Sequence, residues 1–166
     1  MDIPNLKNPY AGKYRVTQYF GVNPEMYKQF KMEGHNGIDF ALPSDTEVLA
    51  CNSGFVSKIG FESGGYGTYI KIKHSWGVST YAHLKLITIG VDDAVSSGDR
   101  LGFSDSTGFS TGPHLHFGIK PNNEDSNNGY LGYIDPLPYL KEISDSVDTV
   151  KKIVCPVCYS EFKKGL

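Results

Sequence analysis

The sequence lacks the signatures that would place it in several large classes at once. Its cysteines, Cys51, Cys155 and Cys158, are too few for a disulfide framework. No apolar run approaches the roughly twenty residues of a membrane-spanning helix. Charge is nearly balanced, with 16 Lys and Arg against 18 Asp and Glu. That balance argues against nucleic acid as a partner and offers no polybasic membrane anchor. The opening twelve residues are polar and lack the apolar segment of a secretory signal. The expectation is release by another route, or a leader removed beforehand. Extended helical patterning is also scarce.

Glycine and aromatic residues, by contrast, are plentiful: 19 Gly, 11 Tyr and 9 Phe in 166 residues, with 9 Pro. This composition favours many short strands joined by tight turns, and the length suits one domain with a real core. Strands are predicted over 14–20, 38–42, 47–51, 54–61, 68–74, 78–84, 86–89, 100–104 and 115–120. Asn52-Ser53-Gly54, Ser63-Gly64-Gly65 and Ser97-Gly98-Asp99 read as turns. One short helix is predicted from Pro24 to about Glu33, with Asn23 as its cap and Pro24 at the first helical position. The spacing gives an all-β fold, a compact antiparallel sandwich or open barrel with that single helix on its N-terminal side.

Cys51 lies in an apolar stretch and reads as a buried free thiol. Cys155-Pro156-Val157-Cys158 supplies two of the four ligands that structural zinc needs. It fits half a zinc ribbon, a four-cysteine zinc site shared by a homodimer, or a tail with two thiols.

Five histidines carry the chemistry. His114 and His116 are two apart, so on a strand they share a face about 6.6 Å apart. Alone, they fit two surface histidines equally well. His35 and Asp39 would be about 13 Å apart in an extended chain, too far for one metal ion. A turn at Asn36-Gly37 would fold His35 back while Asp39 projects from a strand. His83 and His74, taken singly, read as hydrogen-bonded structural residues, His74 at a strand end. Together the set is richer: a catalytic zinc site needs three N/O ligands and an open position, and surplus histidines can move protons. There is no His-Glu-x-x-His helix.

Four stretches resemble the lysostaphin-type zinc metalloendopeptidases, the family of peptidoglycan-cutting autolysins, bacteriocins and phage lysins. They are Gly34-His35-Asn36-Gly37-Ile38-Asp39, Gly64-Gly65-Tyr66-Gly67, Ser79-Thr80-Tyr81-Ala82-His83-Leu84, and Ser110-Thr111-Gly112-Pro113-His114-Leu115-His116-Phe117. The resemblance implies that His35, Asp39 and His116 bind Zn2+, and that His83 and His114 are catalytic. It implies a groove for peptidoglycan cross-links, and a lysin reached by holin-type release or carried on a virion. It divides the chain into a lead-in (1–13), a catalytic domain (14–140) and a linker with the Cys-x-x-Cys tail (141–166). An inactive relative that regulates or scaffolds wall hydrolysis is the alternative.

Overall fold

The computed structural model describes residues 2–140. The expectations for residues 141–166, including the Cys155/Cys158 metal site and the homodimer, lie outside the described residues.

Among the described residues nine strands form one branched antiparallel sheet: β1 (Val16–Gln18), β2 (Ile38–Phe40), β3 (Glu47–Leu49), β4 (Gly54–Glu62), β5 (Gly67–Lys73), β6 (Gly77–Ile87), β7 (Ala94–Val95), β8 (Arg100–Ser104) and β9 (Leu115–Pro121). The main path runs β1-β2-β9-β6-β5-β4-β7. The expected all-β, open antiparallel architecture is what is found. The two strands predicted over 78–89 are a single strand, β6, and β7 was not foreseen.

The branch occurs on β6. Its first half, Gly77 to Ala82, pairs with β9, and its second half, from Leu84, pairs with β8. On the other flank β5 pairs with it from Val78 to Leu84, with a register irregularity between Thr68 and Ile70. His83 lies at the fork, with φ of 62°.

Strand alternation divides the sheet into a dry face and a chemical face. Ile38 and Phe40 of β2 and Leu115, Phe117 and Ile119 of β9 are fully buried in the core with Ile70, Ile72 and Tyr81. Each such side chain contributes about 2 kcal/mol of burial. Asp39 and His116, between them in sequence, point to the opposite face and are directly cross-paired, with Ala82 on the far side of His116.

The lead-in is stitched to this domain. Leu6 bridges Leu140, Lys7 donates its amide to the Cys51 carbonyl, and the Tyr10 ring packs edge-on against Phe40. Cys51 is buried, and burial pushes its thiol up to about 11. His74 lies one residue past the end of β5, bonded to the Ser53 carbonyl and Ser79 Oγ and stacked on Trp76.

The predicted helix is shorter than expected. Only Pro24–Tyr27 is α-helical (α1), followed by a 3-10 turn over Lys28–Phe30. Asn23 has φ of 56°, a left-handed conformation that leaves its side chain without a capping bond. Lys31, also left-handed at φ 59°, ends the turn three residues before Gly34.

Candidate metal centre and groove

Three chain segments bring donors to one point on the chemical face. His35 arrives from the loop before β2, its amide bonded to the Val22 carbonyl. The Asn36-Gly37 turn then lets Asp39 follow on the strand. Gly37 is required by space: a Cβ there would lie 2.6 Å from His116 Cε1 and from the Phe117 carbonyl oxygen. His116 comes from β9.

His35 Nε2 is 2.8 Å from His116 Nδ1, and Asp39 Oδ1 is 3.1 Å from each. A tetrahedral zinc site with bonds near 2 Å has ligand atoms roughly 3.3 Å apart, so the triangle is of the right size. The tautomer supports the same conclusion. His35 Nδ1 donates to the Tyr19 carbonyl at 3.1 Å. A neutral His35 therefore turns a lone pair toward the Asp39 carboxylate, and a cation between them relieves that contact. His116 Nε2 is buried without a hydrogen-bond partner.

Electrostatics keep this set ready for a metal. Burial opposes ionisation of Asp39, but the His116 and His35 imidazoles outweigh it and hold its carboxyl well below the usual range. Burial, despite the Asp39 hydrogen bond, pushes His116 down to about 4. The neutral imidazole and the ionised carboxylate are the forms that bind metal.

The other two histidines stand beside the triangle with ring centroids 4.5 Å apart. His83 Nδ1 is 2.7 Å from the Thr107 carbonyl, and His114 Nδ1 is 2.8 Å from the Gly112 carbonyl. Each carbonyl accepts the Nδ1 proton, which leaves Nε2 as the nitrogen free to take or give a proton. His114 Nε2 lies 3.6 Å from Asp39 Oδ2. Burial, then the neighbouring His116 and His114, push His83 down to about 3. All five predicted site residues are thus brought together, and His74 stays outside the cluster.

These residues sit in a groove of about 620 Å³. The segment from Asn23 to Glu33 flanks it, with Met26, Tyr27, Phe30 and Met32 in one wall. Tyr27 stacks on His35 at 26° and accepts a hydrogen bond from Gln18. Phe30 meets Phe109 edge-on, joining this wall to the loop after β8.

Sequence reasoning missed several supports. The Thr107 and Gly112 carbonyls set the histidine tautomers, the Ser110 hydroxyl lies 3.2 Å from His114 Nδ1, and Asn36 donates to the Tyr66 hydroxyl at 2.8 Å. The Gly-Gly-Tyr-Gly stretch carried a signal for Tyr66, since it recurs in the resemblance. Nothing local marks Thr107, which acts through its backbone.

Comparison with known proteins agrees with this geometry. Residues 33–128 match the profile of Peptidase family M23. An uncharacterized metalloprotease of Buchnera aphidicola is 38% identical over 117 residues, covering 69% of this chain and 30% of that protein. The DD-carboxypeptidase/endopeptidase Mpg of Neisseria meningitidis is 43% identical over 94 residues, 56% of this chain and 21% of Mpg. The chain thus spans less than a third of these relatives' length. The catalytic domain of the antimicrobial peptidase lysostaphin from Staphylococcus simulans superposes with a TM-score of 0.67 at 32% identity, covering 77% of this chain and 92% of that domain. The matched segment holds all four resemblance stretches and all five converging side chains, and on that ground the chain belongs to peptidase family M23, the lysostaphin-type metallopeptidases.

Proposed function

We propose that this domain is a zinc-dependent endopeptidase that hydrolyses peptide bonds in bacterial peptidoglycan. The observation that carries the reading is the pairing of a three-donor triangle with two histidines whose Nε2 atoms are left free beside it. His35 Nε2, Asp39 Oδ1 and His116 Nδ1 would hold the ion. Zinc there supplies Lewis acidity, which makes water nucleophilic near neutral pH and polarises a carbonyl.

The remaining work falls to the chain's own groups. The groove holds the peptide extended beside the triangle. Of the two imidazoles, one accepts the proton of the attacking water on Nε2, and the other, carrying a proton on both nitrogens, donates its Nε2–H to the oxygen that gains charge as the carbonyl becomes tetrahedral. Water's hydroxyl ends on the carbonyl carbon, the C–N bond breaks, and the proton passes to the leaving amine. The rigid Nδ1 tethers hold both rings in place, so little reorganisation is needed.

A scaffold role is disfavoured because every donor position is filled and converges. A lytic role is part of the same proposal, supported by the likeness to an antimicrobial peptidase.

The test is mass spectrometry of fragments released from purified peptidoglycans of several cross-bridge types, with and without a zinc chelator. New amino termini that vanish with chelator establish the activity and name the bond. Release of no fragment by the zinc-loaded protein refutes it.

A further inference from the structure

A histidine that ligates a metal normally donates its other ring N–H to an acceptor, and that bond fixes the rotation of the ring. His116 has no such bond. With Nδ1 turned to the donor triangle, Nε2 carries the proton, and Nε2 is buried without a hydrogen-bond partner. Packing must therefore hold this ring. Gly37 closes over its edge, since a Cβ there would lie 2.9 Å from Nε2 and 2.6 Å from Cε1. The Tyr66 ring lies against the imidazole, with centroids 5.3 Å apart at 43°.

Tyr66 stands in the turn between β4 and β5, and it reaches other members of the site as well. Its hydroxyl accepts the Asn36 side-chain amide at 2.8 Å. Asn36 is 2% exposed and joins His35 to Gly37. The bond therefore pins the turn that carries one donor and covers another. The Tyr66 carbonyl accepts the His83 amide at 2.9 Å. The ring is itself anchored, with Lys71 Nζ 5.7 Å from its centroid. One residue thus touches His116 with its ring, the His35 turn with its hydroxyl, and His83 with its backbone.

We propose that Tyr66 is a positioning residue of the metal centre. Its ring and, through Asn36, its hydroxyl hold His35 and His116 at ligand spacing, and so set how tightly the triangle takes zinc. A triangle held in place before the ion arrives loses little freedom on binding it. The inference rests on the zinc reading of the triangle and needs no particular substrate.

The test is the zinc Kd of the wild type and its variants, measured by competition with a chromogenic chelator. Tyr66→Phe removes the hydroxyl and keeps the ring, and Asn36→Ala removes the other end of the same bond. Each is expected to weaken zinc binding about tenfold, as loss of an outer contact to a ligand does. The double variant is expected to bind no more weakly than either single one, because both cut one bond. Tyr66→Leu removes the ring too and is expected to cost about a hundredfold. A merely structural role would lower the Tm of the metal-free variants without changing the Kd of the folded protein. A Kd within about twofold of the wild type in Y66F, or losses that multiply in the double variant, overturns the proposal. If Y66F does not fold, N36A reads the same bond by the same criterion. Weaker zinc binding in the variants, when even the wild type cleaves no wall, upholds the brace and counts instead against the hydrolase reading.

Discussion

Gly67 lies so close to Thr107 that a Cβ on it would sit 2.4 Å from the Thr107 carbonyl carbon and oxygen. That same carbonyl oxygen holds His83 Nδ1. The Thr107 hydroxyl is committed too, accepting from the Thr68 amide and donating to the Leu84 carbonyl. Glycine at position 67, which also has φ of 60°, is therefore part of how the His83 ring is aimed.

Gly67→Ala is expected to lower kcat by tenfold or more, on the order of what a 1 Å misplacement costs. Zinc content, read by elemental analysis, stays at the wild-type level. Loss of zinc together with activity would show that Gly67 supports the triangle as well.

His83 itself offers a comparison of two variants. Its left-handed backbone disfavours any residue with a Cβ by about 1–2 kcal/mol. His83→Gly and His83→Ala are both expected to lose about 10²- to 10⁴-fold in turnover. The glycine variant should nevertheless be the more stable of the two, by about 1 kcal/mol in denaturant unfolding. Equal stability would mean that the fork relaxes around the new residue.

Zinc should stabilise the folded domain, because the triangle exists only there. At free zinc a thousandfold above Kd the gain is about 4 kcal/mol. In the proposed reading Asp39→Ala abolishes that gain, measured as a zinc-dependent rise in Tm. A full rise in the variant would place the ion elsewhere.

His74 gives a pH dependence separate from the metal. Burial, opposed by its bond to Ser53, lowers its pKa below the ordinary 6.5. The unfolded chain therefore takes up the proton first as pH falls. His74 contributes stability that is present above pH 6.5 and is lost as pH drops from there through its folded-state value. Unfolding free energy measured at pH 7.5 and 5.0 should fall less in His74→Gln than in the wild type. Equal falls would assign the acid sensitivity to other groups.

Much of this domain was legible in the sequence, for physical reasons. The segments around Asp39 and His116 were legible as strands, and in the structure strand alternation sets both side chains on the face away from the core. The Asn36-Gly37 turn resolved the spacing of His35 and Asp39. The helix starts at Pro24 as predicted, although Asn23 is left-handed and makes no capping bond; its far end falls short of Glu33 because the chain tightens into a 3-10 turn over Lys28–Phe30 and becomes left-handed at Lys31. The single long β6 was hidden because its polar Lys85 and its kink at His83 resemble a turn between two strands. Thr107 left no trace, since a backbone carbonyl can be supplied by any residue type.

The flanking turns from Pro24 to Phe30 bury none of their residues, yet Met26, Tyr27 and Phe30 form one wall of the groove. The core is built from other elements entirely. Substitutions there can alter what is bound while leaving the free energy of folding almost untouched, except at Tyr27, which braces His35. Since most changes elsewhere erode a small stability margin, this stretch is where substrate range can drift over generations without endangering the fold.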